Sequence, residues 1–160
     1  MTKVTLAADS SPDTRFGVYA AGVGFLLSPE QSAEFLSGIK VFPIPRVSRR
    51  LRGAAQVRGH PVLVFSADRV APTKVAIMQT CSIVMLKGTE LALAFQVEQA
   101  PFLLSGLQPA DCPPLQSSFS NCLTRPQRAR VLGLTANDQL DPRIWWEADF
   151  VRLFEALAND

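Results

Sequence analysis

Apolar and polar positions alternate along this chain in short runs, each closed by a turn signal. Phe16–Ala20 and Val23–Leu27 flank Ala21-Gly22 and predict a first pair of strands. Leu51–Val57 and Pro61–Phe65 flank Arg58-Gly59-His60, where Gly59 supplies the positive φ that such turns often need. A run from Val75 to Thr80 continues into Ser82–Leu86, Lys87-Gly88-Thr89 turns the chain, and Leu91–Val97 returns. Arg130–Thr135, a turn at Asn137-Asp138 and Arg143–Trp146 predict a last hairpin.

Helical signals are few. Ser28-Pro29-Glu30-Gln31 has a capping residue, a proline suited to the first helical position and a capping-box spacing, which predicts a short helix ending near Leu36, before Gly38. Asp149–Leu157 predicts a terminal helix with Phe150, Val151, Phe154 and Leu157 on one face. Pro43 and Pro45 force an extended connection. Pro101, Pro109, Pro113, Pro114 and Pro126 punctuate 99–126, which reads as a long loop with at most one short strand. Residues 1–13 read as a frayed, flexible segment, leaving 14–160 as the folded unit. Many short strands and no long helices predict a mainly β fold, a barrel or a sandwich.

The chain has 160 residues, enough for one domain or two closely joined lobes, and 48% are hydrophobic, enough for a real core. Charged residues are only 19%, which leaves room for a surface covered by partners. No uncharged stretch approaches the roughly 20 residues of a membrane helix, so a cytoplasmic protein without direct membrane insertion is expected. Three cysteines, an odd number, do not suggest a disulfide framework. Net charge is +2, but unevenly spread: Phe35 to Ala67 contains no Asp or Glu, yet holds Lys40, Arg46, Arg49, Arg50, Arg52 and Arg58.

Candidate chemistry is sparse. His60 is the single histidine and stands in a turn, where a solvated residue is the ordinary reading, and no nucleophile–base set accompanies it. Cys81, Cys112 and Cys122 lack the close pairing of a zinc site. Gly17, Gly22 and Gly24 fall in a hairpin, out of context for a nucleotide fingerprint. No cofactor or metal is expected. The arginine cluster reads first as a solvated face, then as a protein-partner surface, and last as a nucleic-acid surface, since stacking aromatics are missing around it and Phe42 is the nearest. Trp145 and Trp146, adjacent on a strand, face opposite sides, so one enters the core.

The segment Ile44-Pro45 … Leu51-Arg52-Gly53-Ala54-Ala55-Gln56-Val57-Arg58-Gly59-His60-Pro61-Val62 resembles the signature of CheW-like chemotaxis-coupling proteins. The resemblance extends through the hairpin Ser82–Leu86, Lys87-Gly88, Leu91–Phe95 and the closing Val131-Leu132-Gly133 … Ile144-Trp145-Trp146 with its final helix. It implies two small intertwined five-stranded SH3-like barrels sharing a hydrophobic seam, with a short helix and a C-terminal helix. It also implies a non-enzymatic adapter linking chemoreceptor signalling tips to the regulatory domain of a CheA-type histidine kinase in membrane-associated arrays. Arg58, Gly59, Arg52, Gly53, Val57 and Pro45 are then the candidate partner-binding residues. The chain departs from the family at Leu63, Val64 and Phe65, at Gln96, and around Phe35, places where the family often has acids. These departures suit a divergent member, of a type IV pilus or other chemosensory system. The alternatives are a small barrel that binds nucleic acid through its arginines, or a structural protein of the same fold that no longer couples a kinase.

Overall fold

The computed structural model describes residues 3–6, 13–45, 48–68, 78–87, 92–133 and 140–160. Eleven strands precede one helix among them: β1 Lys3–Leu6, β2 Thr14–Ala20, β3 Val23–Leu26, β4 Ala33–Phe42, β5 Leu51–Val57, β6 His60–Phe65, β7 Gln79–Leu86, β8 Leu93–Val97, β9 Phe102–Pro109, β10 Leu123–Val131, β11 Trp145–Ala148 and α1 Phe150–Ala158.

The strands close into two five-stranded barrels. Barrel 1 runs β4-β5-β6-β8-β7 and closes through β4–β7 pairing, with β1 added along the first half of β4. Barrel 2 runs β10-β11-β3-β2-β9. The chain interleaves them: β2 and β3 belong to barrel 2, the next five strands build barrel 1, and the chain then returns to complete barrel 2.

The interleaving explains the apolar runs. Along β6, Val62 and Val64 point into barrel 1, while Phe65 joins a second core that also holds Val18, Phe25, Phe119 and the inner face of α1. Along β7 and β8, Ile83 and Ala94 fill the barrel, whereas Val84, Leu86, Phe95 and Val97 enter the shared seam. Strands covered on both faces lose the polar alternation of a half-exposed strand. Phe25 of barrel 2 meets Phe95 of barrel 1 edge-on at 5.1 Å, and Phe65 meets Phe154 of α1 at 5.7 Å. Trp145 fills barrel 2, and Gly17 and Gly24 make room for it: a Cβ on either would come within 2.7 Å of its ring.

Several expectations are corrected. The helix over 29–36 does not form. Ser28-Pro29-Glu30-Gln31 makes a turn, closed by the Gln31 N–H on the Ser28 carbonyl at 2.9 Å, and the chain then enters β4. The residues from Ala33 to Leu36 are paired by β1 on one side and β7 on the other, and two flanking strands outweigh a capping signature. Lys3–Leu6, expected to fray, forms β1, with Leu6 buried in the seam. The expected loop over 99–126 contains β9, an eight-residue strand between β2 and β10, and the start of β10 itself. Its prolines lie where ladders tolerate them, Pro109 at the end of β9 and Pro126 at a bulge of β10. The terminal helix buries Phe150, Leu153, Phe154 and Leu157, while Val151 is 65% exposed. Asp149 caps it by accepting the Arg152 N–H at 3.2 Å. The expected runs at 75–77, 88–91 and 134–135 and the turn at Asn137-Asp138 lie outside the described residues.

Candidate functional site

β5 and β6 form a tight hairpin in which Val57 pairs with His60 across Arg58-Gly59. Both turn residues have positive φ, 50° at Arg58 and 81° at Gly59, the requirement of a two-residue turn whose twist matches the strands. Glycine adopts this conformation freely; arginine does so at a cost of about 1 kcal/mol. The Arg58 side chain leaves the turn and reaches over the end of barrel 1, where its Nη2 donates to Glu34 Oε2 at 2.7 Å.

Glu34 is the centre of this end. It lies on β4 two residues before Leu36, on the face that lines barrel 1, and its side chain is only 1% exposed. Two lysines join Arg58 around it. Lys87 Nζ lies 2.6 Å and Lys3 Nζ 3.5 Å from Oε1. Burial alone would push the Glu34 carboxyl up; the hydrogen bonds and charges of Lys87 and Arg58 more than offset it, holding it at about 2 against an ordinary 4.5. A carboxylate held so low is too weak a base to take up protons at neutral pH. The arrangement is a fixed charge cluster with its cations toward solvent.

The six candidate residues do not converge. Arg58 and Gly59 sit in the turn, exposed, at the Glu34 end. Arg52 and Gly53 lie toward the opposite end of barrel 1, Arg52 about 20 Å away along β5, and Pro45 lies in the connection that leaves β4. Val57 is buried inside barrel 1 and presents nothing to a partner. Gly53 is also buried, and its role is close approach: a Cβ there would lie 2.1 Å from the Phe42 carbonyl oxygen, at φ +152°. Arg52 is half-buried beside Cys81; burial pushes that thiol up and the arginine's charge partly offsets it. Around this second end Phe42, 51% exposed, and Met78 present apolar surface next to exposed Pro43 and Pro45.

The arginine cluster is likewise not one face. Arg46 lies outside the described residues, and Arg49 is exposed. Arg50, read as part of a solvated face, is buried: its guanidinium binds Asp160 at 2.5 Å, Ser118 at 3.0 Å and the Ala67 carbonyl, and covers the Phe119 ring. It ties the entry to β5 to the far end of α1, where the Ser48 hydroxyl also donates to the Leu157 carbonyl.

On barrel 2, a cleft of about 390 Å³ is walled by Tyr19, Val23, Leu115, Ile144 and Trp146, with Cys112 and Arg143 at its edge. Arg143 is committed there, holding Asp141 through two 2.8 Å bonds and lying 4.3 Å over Phe102.

Sequence reasoning missed Glu34, Lys3 and Lys87. The signal for Glu34 was present: the acid-free stretch begins at Phe35, directly after it, and a basic lobe must have its counter-charge somewhere. Lys3 and Lys87 come from strands far apart in sequence, so only the fold brings them together. No protein-family model matches the chain, and no curated protein matches it either.

Proposed function

We propose that this chain is a non-enzymatic signalling adapter of the CheW-like type, which couples chemoreceptor signalling tips to the regulatory domain of a CheA-type histidine kinase in chemotaxis or pilus-motility signalling. The observation that carries the reading is the pair of closed five-stranded barrels joined by one apolar seam, with the Arg58-Gly59 hairpin at the end of barrel 1. The sequence resemblance implied both features in that order. Two further observations support it. The candidate residues divide between the two ends of barrel 1, one charged and one apolar, which suits a protein that holds two partners at once. His60, the single histidine, is an exposed turn-edge residue paired through its backbone with Val57.

The arginines do not favour the nucleic-acid reading, because Arg50 is buried, Arg58 is paired with Glu34 and Arg52 lies at the other end. Phosphate-backbone binding needs its cations along one surface. The test is a pull-down of the folded chain with the kinase regulatory domain and, separately, with the receptor tip. Capture of both is the expected result. Failure of the folded chain to retain either one rejects the adapter reading.

A further inference from the structure

We propose that the Glu34 end of barrel 1 is a docking seat for a carboxylate, filled by an acidic side chain of a protein partner; the proposal rests on the adapter reading for who the partner is. Three cations, Lys3, Arg58 and Lys87, lie within 3.5 Å of a single carboxylate. Their charges exceed that of Glu34 by two, and Glu34 is spent inward, at 1% exposure. The cations keep their outer sides in water, with side chains 45%, 49% and 40% exposed. Like charges drawn so close repel one another, and one buried anion cannot neutralise all three. A second carboxylate arriving from solvent relieves that repulsion and meets charge-assisted donors already in place.

No acid stands opposite Glu34 on either flanking strand. The residues opposite Glu34 on the flanking strands, Thr5 and Met85, are neutral, and β5, β6 and their turn carry no acid. The seat is also compact. It caps one barrel end, and among the described residues Arg50 is buried and Arg52 lies about 20 Å away along β5, so neither extends the cap along a phosphate backbone. A point-like cationic cap suits one or two carboxylates on a partner's surface.

The test titrates the full chain at low salt with an acetylated, amidated triglutamate peptide, following backbone amide resonances. Saturable shifts at Gly59 and Lys87 are expected, with none from a trilysine peptide. Lys3→Gln, which removes the most distant cation, and Lys87→Gln should each weaken the affinity about two- to fivefold, the scale of exposed pairs. Unmoved resonances, or unchanged affinity in both folded variants, would overturn the seat. So would tighter binding of inorganic phosphate, or displacement of the peptide by a short DNA duplex. The kinase regulatory domain and receptor tip are titrated in parallel. If both bind wild type and the two lysine variants alike, the seat is wrong and the adapter reading stands. If triglutamate binds as expected while neither partner does, the seat stands and the adapter reading falls.

Discussion

Arg58 occupies a backbone position that arginine avoids, and its side chain explains why it is there. At φ 50°, asparagine or glycine would suit the turn better, yet neither could reach Glu34. The position trades local strain against cover for a buried charge. Arg58→Gly should therefore relax the turn but uncover Glu34, with a net destabilisation of about 1 kcal/mol, since Arg58 is half exposed and Lys87 remains. In a Glu34→Gln background the same Arg58→Gly change should be neutral or stabilising. Urea denaturation of the four proteins of this cycle decides it, and equal costs in both backgrounds would show that the pair contributes nothing. Glu34 also sets an acid limb. Its folded carboxyl titrates below the unfolded one, so its contribution is present above about pH 4.5 and is lost as pH falls toward 2. Stability should drop over that window by less in Glu34→Gln than in wild type, measured by melting temperature against pH. At Gly53, where a Cβ meets the Phe42 carbonyl, Gly53→Ala should cost about 2 kcal/mol or more, and an unchanged melting temperature would contradict the close approach.

Elements were legible in the sequence where their signals were local. The β5–β6 hairpin carries an alternating strand with Leu51, Gly53, Ala55 and Val57 turned inward, then a turn dipeptide and an apolar return, and it forms as expected. Asp149 marks the start of α1 for the same reason. The misread segments depend on distant partners. A single turn at Ser28–Gln31 looks like a helix start, and only the strands paired beside 33–36 decide otherwise. β9 has few fully buried positions and proline at or beside both ends, so its strand character comes from its place between β2 and β10. The helix face was off by one contact. Leu153 lies between Phe150 and Leu157 on the buried stripe, and Val151 lies outside it. Leu153→Ala should cost about 2–5 kcal/mol, as for other buried leucines, while Val151→Ala should stay within about 0.5 kcal/mol. Thermal melts of the two variants check the assignment of the face. The same contrast separates the two ends of the candidate site: Arg58-Gly59 was visible as a turn, whereas the cations that complete its charge cluster are assembled by barrel closure.

The whole molecule behaves as one body because the two barrels, besides the core inside each, share a third and larger one. Phe25 comes from barrel 2 and Phe95 from barrel 1, yet they pack on each other, and α1 is buried against residues of both barrels. A shared seam of this kind predicts a single unfolding transition, seen alike by tryptophan fluorescence, which reports from Trp145 and Trp146 on β11 of barrel 2, and by far-ultraviolet dichroism over both barrels. The two ends of barrel 1 differ in chemistry, one with Glu34 and its cations, the other with Phe42, Met78 and the prolines. An adapter works by making one partner's output depend on the other, so the central claim is tested by reconstitution. The CheA-type kinase and the receptor tip are combined with and without the chain, and kinase autophosphorylation is followed. If the chain is the adapter proposed, the kinase rate responds to the receptor only when the folded chain is present. A rate unaltered by the chain, with all three proteins folded and the cognate kinase and receptor in hand, would contradict it.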